Sequence, residues 1–427
     1  MNAPNGLKRI HPSQLRVGVY VVLDEHWMRH PFIFNSFVVA TEKDLRLIQE
    51  LGLDSVLWRP DKSKETPLPV PVAIPEIVDQ EKSGRSLEQE AVRQSQAAAK
   101  RERIERLQEL RRAVQDAEKH YERVSEAAKT SVARIHATPA ESAQTLLGIA
   151  GELVKDFASD DSTLHLLGVS KRDTAAHSHA MGVMVLSGMI ARGVGMAEAE
   201  AAAVALGGLL HDIGRTKVGE SIWKRKAGEM TAAELSVFKM HPVWGEELLR
   251  GVPLPQQVHD AILMHHERLD GSGYPKKMRG DAIPLAARVV GLADRYETLS
   301  NPYSLTAGLQ PYQALAKLYS EERDKFDGSC LKALIDALGV YPPGTFVELT
   351  NGQWGIVTSF DRGSLTRPTV ELYDPDVPKS EAMLVNLSGA EEVSIARAVL
   401  PNAMPQAALD YLAPRRHMAY FLSSRKA

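Results

Sequence analysis

Three apolar runs in this chain stop abruptly on ionisable side chains, and that pattern constrains the fold more than any other feature. Ala201 to Leu210 runs into His211-Asp212, Val258 to Met264 into His265-His266-Glu267, and Val289 to Ala293 into Asp294. Runs of this length and texture predict buried helices. An imidazole or carboxylate at the end of a buried helix is destabilising by several kcal/mol unless it is partnered. A single such residue is ordinarily a hydrogen-bonded structural side chain. Three helices delivering them together call for a shared partner, and metal ions satisfy imidazoles and carboxylates at once.

The candidate donors are His177, His211, Asp212, His241, His265, His266 and Asp294. Mixed imidazole and carboxylate ligands suit first-row transition metals such as Fe, Mn, Ni or Zn, and do not suit Ca. An Asp beside a His can bridge two ions about 3.5–4 Å apart, which polarises phosphoryl oxygens and supplies hydroxide at neutral pH. The predicted chemistry is in-line hydrolysis of a phosphoester by metal-activated water. No Ser or Cys nucleophile is required.

At 427 residues the chain is long enough for two or three domains. Its texture predicts a mainly α protein. Residues 1–60 form a small α/β module, with β-like runs at Val17 to Leu23 and Phe32 to Ala40 before a helical stretch from Glu42 to Leu51. Residues 61–85 form a proline-rich linker. Residues 86–160 form a long helix or helical hairpin, 161–340 an all-helical metallohydrolase domain, and 341–427 a small β-rich module. That last module contains strands near 345–349, 354–359 and 369–373 and a closing helix near Pro405 to Tyr411.

Leu107, Leu110, Val114, Ala117, Tyr121, Val124, Ala128 and Ile135 follow a heptad stripe. Two arrangements bury such a seam. One is an intramolecular hairpin with the next helix, Ser142 to Phe157; the other is a parallel coiled coil that makes a homodimer through residues 86–137.

Composition removes several classes of function. Lys and Arg total 51 against 54 Asp and Glu, so an anionic ligand is drawn by a local site and not by the field of the whole protein. There is no basic stripe with stacking aromatics, which argues against a nucleic-acid partner. The single cysteine, Cys330, fits a reducing compartment, and no apolar run is long enough to span a bilayer; the expected location is cytoplasmic.

The segment from Leu164 to Gly344 resembles the HD-GYP domain, a branch of the HD phosphohydrolases that cleaves cyclic di-GMP in bacteria. The resemblance is carried by His211-Asp212-Ile213-Gly214, by Met240-His241-Pro242 with Gly245, and by the long motif from His265-His266-Glu267 through Asp270-Gly271-Ser272-Gly273-Tyr274-Pro275. The stretch Leu15 to Trp58, with Trp27 and His30-Pro31-Phe32, resembles an accessory domain often found before this catalytic domain.

The resemblance implies hydrolysis of cyclic di-GMP to linear pGpG, GMP or both, with two or three divalent metal ions, Fe or Mn. It makes His177, His211, Asp212 and Asp294 the ligands shared across the HD superfamily, with Asp212 bridging, and gives His241, His265 and His266 to the second ion. Asp173, one helical turn before His177, is the candidate ligand of a third; its other reading is an acidic residue favoured by a helix N-terminus. His179 reads as a bystander, because two residues along a helix points elsewhere.

Glu267 and Asp270 are expected to orient the paired histidines. The loop Asp270 to Pro275 has two readings. Gly271 and Gly273 simply make a turn packed down by Tyr274 and Pro275, or the loop forms a rim that offers Tyr274 to a guanine or to a protein partner.

Two positions depart from the family pattern. Arg215 stands where the family has a phosphate-binding Lys, and a planar guanidinium does not place its charge as an ammonium does. The stretch Asp294 to Tyr303 lacks the family's Arg-Pro-Tyr segment. These departures keep open a hydrolase of another cyclic dinucleotide or nucleotide, and a non-hydrolytic receptor that signals through its flanking domains.

Overall fold

The computed structural model describes the chain outside residues 1–6, 24–31, 33–35, 70–81, 159–161, 169–174, 224–226, 302–307, 362–363, 376, 380–381, 390–392, 413–417 and 425–427. Trp27, His30, Pro31, Asp173, Pro302 and Tyr303 therefore lie outside the described residues. The protein is mainly helical and divides into two compact units, Met1–Leu110 and Arg111–Ala427.

In the first unit, four short antiparallel strands lie in the order β1 (Lys8–Ile10), β4 (Val56–Trp58), β2 (Tyr20–Val22), β3 (Ser36–Val38). Helix α1 (Glu42–Glu50) starts where Thr41 and Asp44 cap each other's backbone N–H, and Ile48 on its inner face joins a core of Leu15, Val19, Val21, Leu23, Val39 and Val56. The N–H groups of Lys64 and Glu65 donate to Gly18 O, and that of Leu68 to Gln14 O. The sequence-predicted linker is thus bound to the module as far as Leu68. The long helix α2 (Lys82–Ala133) begins a few residues earlier than its charged stretch suggests.

In the second unit, the stripe residues Ala117, Tyr121, Val124, Ala128 and Ile135 are buried in the same core as Ala143, Leu146, Ala150, Val154 and Phe157 of α3 (Pro139–Ala158). From Ala117 onward the heptad seam is consumed within the chain, as the intramolecular alternative expects. Helix α4 (Ala175–Gly193) is buried almost all round, packed by α3, α5 (Glu198–Leu210), α10 (Leu285–Ser300) and α12 (Gly328–Leu338). A helix apolar on every face belongs at the centre of a bundle. The remaining helices are α6 (Glu220–Trp223), α7 (Ala232–Phe238), α8 (His241–Leu248), α9 (Gln256–Met264), α11 (Pro311–Ser320) and α13 (Gln406–Leu412).

The sheet of this unit is larger than its sequence suggests. Strand β7 (Trp354–Asp361) pairs with β6 (Phe346–Leu349), β8 (Thr369–Leu372) and β5 (Ser162–Gly168), while β9 (Met383–Asn386), β10 (Ile395–Ala398) and β11 (Met418–Ser424) complete it. Strand β5 corrects the expectation of continuous helix from Ser162. It pairs antiparallel with β11 from Ser162↔Ser424 to Gly168↔Met418, so residues just before the metal-binding helices are tied to the last strand. Among the described residues, no helix is long and apolar enough to cross a membrane.

Candidate metal centre

The helices α4, α5, α9 and α10 meet around these ionisable residues, with Asp294 inside α10 and not at its end as the apolar run suggests, and glycines allow the approach. A Cβ on Gly207 of α5 would come within 2.7 Å of the Ala261 side chain on α9, and one on Gly208 within 2.9 Å of Val183 O on α4. A Cβ on Gly214 would fall 2.0 Å from His241 O, and one on Gly291 of α10 would fall 2.4 Å from His265 O. The Ile213-Gly214 turn and α8 therefore touch backbone to backbone, which sets His241 beside Asp212.

Two groups of donors result. Asp212, His241, His265 and His266 form one, and His179, His211 and Asp294 the other, with the donor atoms of each group within 4.8 Å of one another. Asp212 links them: its Oδ2 is 3.1 Å from His211 Nε2, and its Oδ1 is 3.3 Å from His241 Nε2. Asp294 also reaches both sides, with Oδ1 3.2 Å from His179 Nε2 and Oδ2 3.8 Å from His266 Nδ1.

His179, and not His177, completes the second group. The two residues lie about 200° apart on an α-helix of 3.6 residues per turn, so only one can face the centre. His179 is buried at 2% exposure against Asp294. His177 Nε2 instead lies 2.8 Å from Ser125 Oγ on α2. The position one helical turn before His179 is Ala175, which has no donor for a third ion.

Backbone carbonyls orient three of the rings. His211 Nδ1 donates to Gly208 O (2.7 Å), His241 Nδ1 to Phe238 O (2.7 Å) and His265 Nδ1 to Ile262 O (3.0 Å). A carbonyl only accepts, so each ring carries its proton on Nδ1 and presents the Nε2 lone pair to the centre. His241 Nε2 and His265 Nε2 then face each other at 3.4 Å. Two lone pairs at that distance repel unless a cation lies between them. His266 Nε2 is likewise buried, with no hydrogen-bond partner among the described residues. The donor set fits divalent transition metals, and these groups can hold them.

The electrostatics favour the same state at His265, His266 and His179 and at both carboxylates; His211 is the exception, because burial lowers its pKa but Asp212 and Asp294 outweigh burial and raise it. Burial, then the neighbouring His211 and His241, pulls His265 down to about 3, and burial with His265 holds His266 well below the usual imidazole range. Burial lowers His179 against the pull of Asp294. For Asp212, burial opposes the charge, but Arg215 and His211 outweigh it and keep the carboxyl well below its ordinary range. Asp294 is held low in the same way by His179, His211 and His266. Neutral imidazoles and ionised carboxylates are the protonation states that bind metal without first releasing protons.

Glu267 and Asp270 do not take the expected place behind the histidines. Glu267 is buried and accepts from Lys276 N (2.6 Å) and Met278 N (2.9 Å), bracing the loop that follows the paired histidines. Asp270 accepts from Ser272 N and Oγ, an Asx turn on the surface. Gly271 has φ +79°, and a Cβ on Gly273 would lie 2.5 Å from Glu267 Cα and Arg268 N. The loop is thus folded tightly back. It stacks Tyr274 on His266 at 4.6 Å between ring centroids, and Pro275 follows through a cis peptide. Arg215 Nε lies 2.8 Å from Asp212 Oδ1, with its guanidinium 5.3 Å from the Phe238 ring. Sequence reasoning also missed Glu297, buried one turn after Asp294, where burial pushes its carboxyl up to about 8 and Gly182 leaves room for it.

The fold and the site define a helical domain with two linked groups of side chains able to hold metal ions. The HD domain family matches residues 155–330, and a domain of unknown function (DUF3391) matches residues 7–145. The chain is 27% identical over 375 residues to the cyclic di-GMP phosphodiesterase PA4108 of Pseudomonas aeruginosa, covering 86% of this chain and 85% of that one. It is 38% identical over 152 residues to the cyclic di-GMP phosphodiesterase response regulator RpfG of Xanthomonas campestris, covering 35% and 40% of the two chains. It is 32% identical over 169 residues to the 3'3'-cGAMP-specific phosphodiesterase 3 of Vibrio cholerae, covering 40% and 36%. Residues 155–330 thus match the HD domain family, and the chain is similar to proteins named cyclic di-GMP phosphodiesterases.

Proposed function

We propose that this protein is a metal-dependent phosphodiesterase that hydrolyses cyclic di-GMP to linear pGpG, GMP or both. The observation that carries the reading is the pair of donor groups linked by Asp212, because a two-ion centre is a device for phosphoester hydrolysis. His179, His211 and Asp294 would hold one ion and His241, His265 and His266 the other, with Asp212 within reach of both groups. When bound, two divalent ions, Fe or Mn, polarise the phosphoryl oxygens and make water a nucleophile at neutral pH.

The side chains do the rest. Asp212 and Asp294 stay ionised, and Gly208, Phe238 and Ile262 carbonyls hold three imidazoles to one tautomer. Arg215, fixed by Asp212, sets a permanent cation beside the centre, where the substrate is dianionic. Hydrolysis breaks one P–O3' bond, adds hydroxyl to phosphorus and returns a proton to O3', which opens the ring.

The reaction belongs to the cytoplasm. A homodimer through α2 would not use the seam from Ala117 onward, which is buried in the chain's own core, and a protein partner at the Gly271–Pro275 loop would meet Tyr274 already stacked on His266. A second reading, hydrolysis of a different cyclic dinucleotide, is favoured by Arg215 in place of the family's Lys and by the relative specific for 3'3'-cGAMP.

The test is turnover of cyclic di-GMP and 3'3'-cGAMP by protein purified anaerobically, with metal quantified in the same sample and His211→Ala as control. Metal-dependent cleavage of cyclic di-GMP that disappears in the variant supports the main reading. Preference for 3'3'-cGAMP moves the assignment to the second, and a loaded centre that cleaves neither overturns both.

A further inference from the structure

A cavity of about 400 Å³ opens directly beside the metal centre, and the mechanism above makes no use of most of its wall. Asp212 and Arg215 form the side that faces the ligand groups. Lys129 near the end of α2 and His177 in the first turn of α4 also line the cavity, with Leu209 and Ile213 supplying apolar surface. The volume lies within the range of small-molecule sites, roughly 300–1,000 Å³. Mostly apolar walls with a few polar heads are the pattern of a site that takes a flat heterocycle and its phosphate.

A cyclic dinucleotide has two nucleosides and two phosphodiesters. When one phosphate is at the metals, the other half of the ring must lie alongside. We propose that this cavity receives the half of the dinucleotide that is not being cleaved, with the His177 ring as a stacking wall for its base and Lys129 as the cation for its phosphate. The proposal rests on the phosphodiesterase reading of the metal centre and adds two residues that determine which substrates fit.

Three observations converge on it. The His177 ring is held in place by Ser125, which is buried at 2% exposure on α2, so the wall is pre-oriented. Histidine is among the side chains on which unstacked bases lie. Lys129 and Arg215 bring two cations to one small space whose one carboxylate, Asp212, is already paired with Arg215, which suits an anionic ligand. The accessory helix α2 thereby contributes directly to the substrate site.

The test separates this inference from the reading beneath it. Steady-state kinetics on cyclic di-GMP and on bis(p-nitrophenyl) phosphate, a phosphodiester without a second nucleoside, are compared for wild type, His177→Ala and Lys129→Ala, with metal content measured in each. Lys119→Ala, an exposed lysine elsewhere on α2, controls for loss of charge. Stacking of one base contributes enough that KM for cyclic di-GMP should rise about tenfold in His177→Ala. Lys129→Ala should raise KM and flatten its dependence on salt. For both variants the loss should be selective, much larger on the dinucleotide than on the small diester, with metal retained.

Equal losses on the two substrates, or unchanged KM in both variants, overturn the subsite while leaving the phosphodiesterase intact. If loaded wild type cleaves no cyclic dinucleotide, the underlying reading fails instead. Equilibrium binding of cyclic di-GMP to the same proteins then decides the cavity: weaker binding in the variants supports it, and equal binding or none removes it.

Discussion

Replacing His179 and His177 in turn gives the sharpest contrast this site offers, because the two are neighbours in sequence and opposite in environment. His179 is buried with its Nε2 3.2 Å from Asp294 Oδ1, inside a donor group. His177 is half-buried and bonded to Ser125. A four-ligand structural zinc site, taken as an upper guide, binds with about 10–16 kcal/mol. An even share is roughly 2.5–4 kcal/mol per ligand, or about two to three orders of magnitude in affinity at ~1.4 kcal/mol per decade. His179→Ala, and the better shape match His179→Gln, should therefore lose one ion on dialysis against a weak chelator and lose activity with it. His177→Ala should keep its full metal complement, and loss of the Ser125 hydrogen bond should cost about 1 kcal/mol of stability. Metal analysis after dialysis reads the first effect. The rise in melting temperature on adding Mn reads it again, since stabilisation by a ligand depends on its affinity for the folded state. Depletion of metal in His177→Ala with retention in both His179 variants would refute the assignment.

Three further outcomes follow from the packing around the centre. Gly214→Ala places a Cβ 2.0 Å from His241 O, so the turn and α8 must separate; overpacking of about 1–3 kcal/mol should appear in the melting curve, together with weaker metal binding. Glu267→Gln replaces an acceptor of two backbone N–H groups by an amide that can accept only through one oxygen. We expect a loss of about 1.5–3 kcal/mol and faster proteolysis within 271–278, with metal content unchanged. Asp327→Asn keeps the cap of α12 but removes one of the two carboxylates paired with Arg288, the other being Asp281. Burial opposes the Asp327 charge, but bonds from Ser329, Cys330 N and Arg288 hold its carboxyl down to about 2, so its contribution is present above the ordinary carboxylate range and lost as pH falls through about 2. After discounting for solvent screening, the gap to wild type in urea midpoints should be about 1 kcal/mol at pH 7 and should close between pH 4 and 2.

The parts of the site legible in the sequence are those where chain order and chemistry coincide. His211-Asp212, His265-His266 and Asp294 each end an apolar run, and Gly214 and Gly245 mark the backbone contact that sets His241. The first histidine was not legible. Choosing between His177 and His179 requires the phase of α4, and a helix buried on nearly every face has no polar side from which to read a phase. Strand β5 was missed for a related reason. Seven residues with several leucines read equally as strand or helix, and the deciding partner, β11, lies some 250 residues away. The heptad stripe left two arrangements open because a narrow apolar seam does not say what covers it. Only the burial of Tyr121, Ala128 and Ile135 beside α3 decides that most of it is internal.

Orientation of the ligands was hidden more deeply, because the groups that do it carry no side-chain signature. Glu267 looks like a partner for the adjacent imidazoles, yet its carboxylate is spent on the backbone of the following loop, and helical carbonyls fix three rings. The same logic changes the meaning of Arg215. Counted as a substitution for lysine, it looks like a weakened phosphate contact. In place, its Nε is committed to Asp212 Oδ1 at 2.8 Å while its guanidinium also borders the cavity beside the centre. A guanidinium has donors along two edges and can hold a carboxylate with one while facing an anion with another, which a single ammonium does less well. Arg215 therefore ties the position of the Asp212 carboxylate to the wall of the adjoining cavity. The departure from the family pattern is compatible with a working centre because it falls on a residue that serves both.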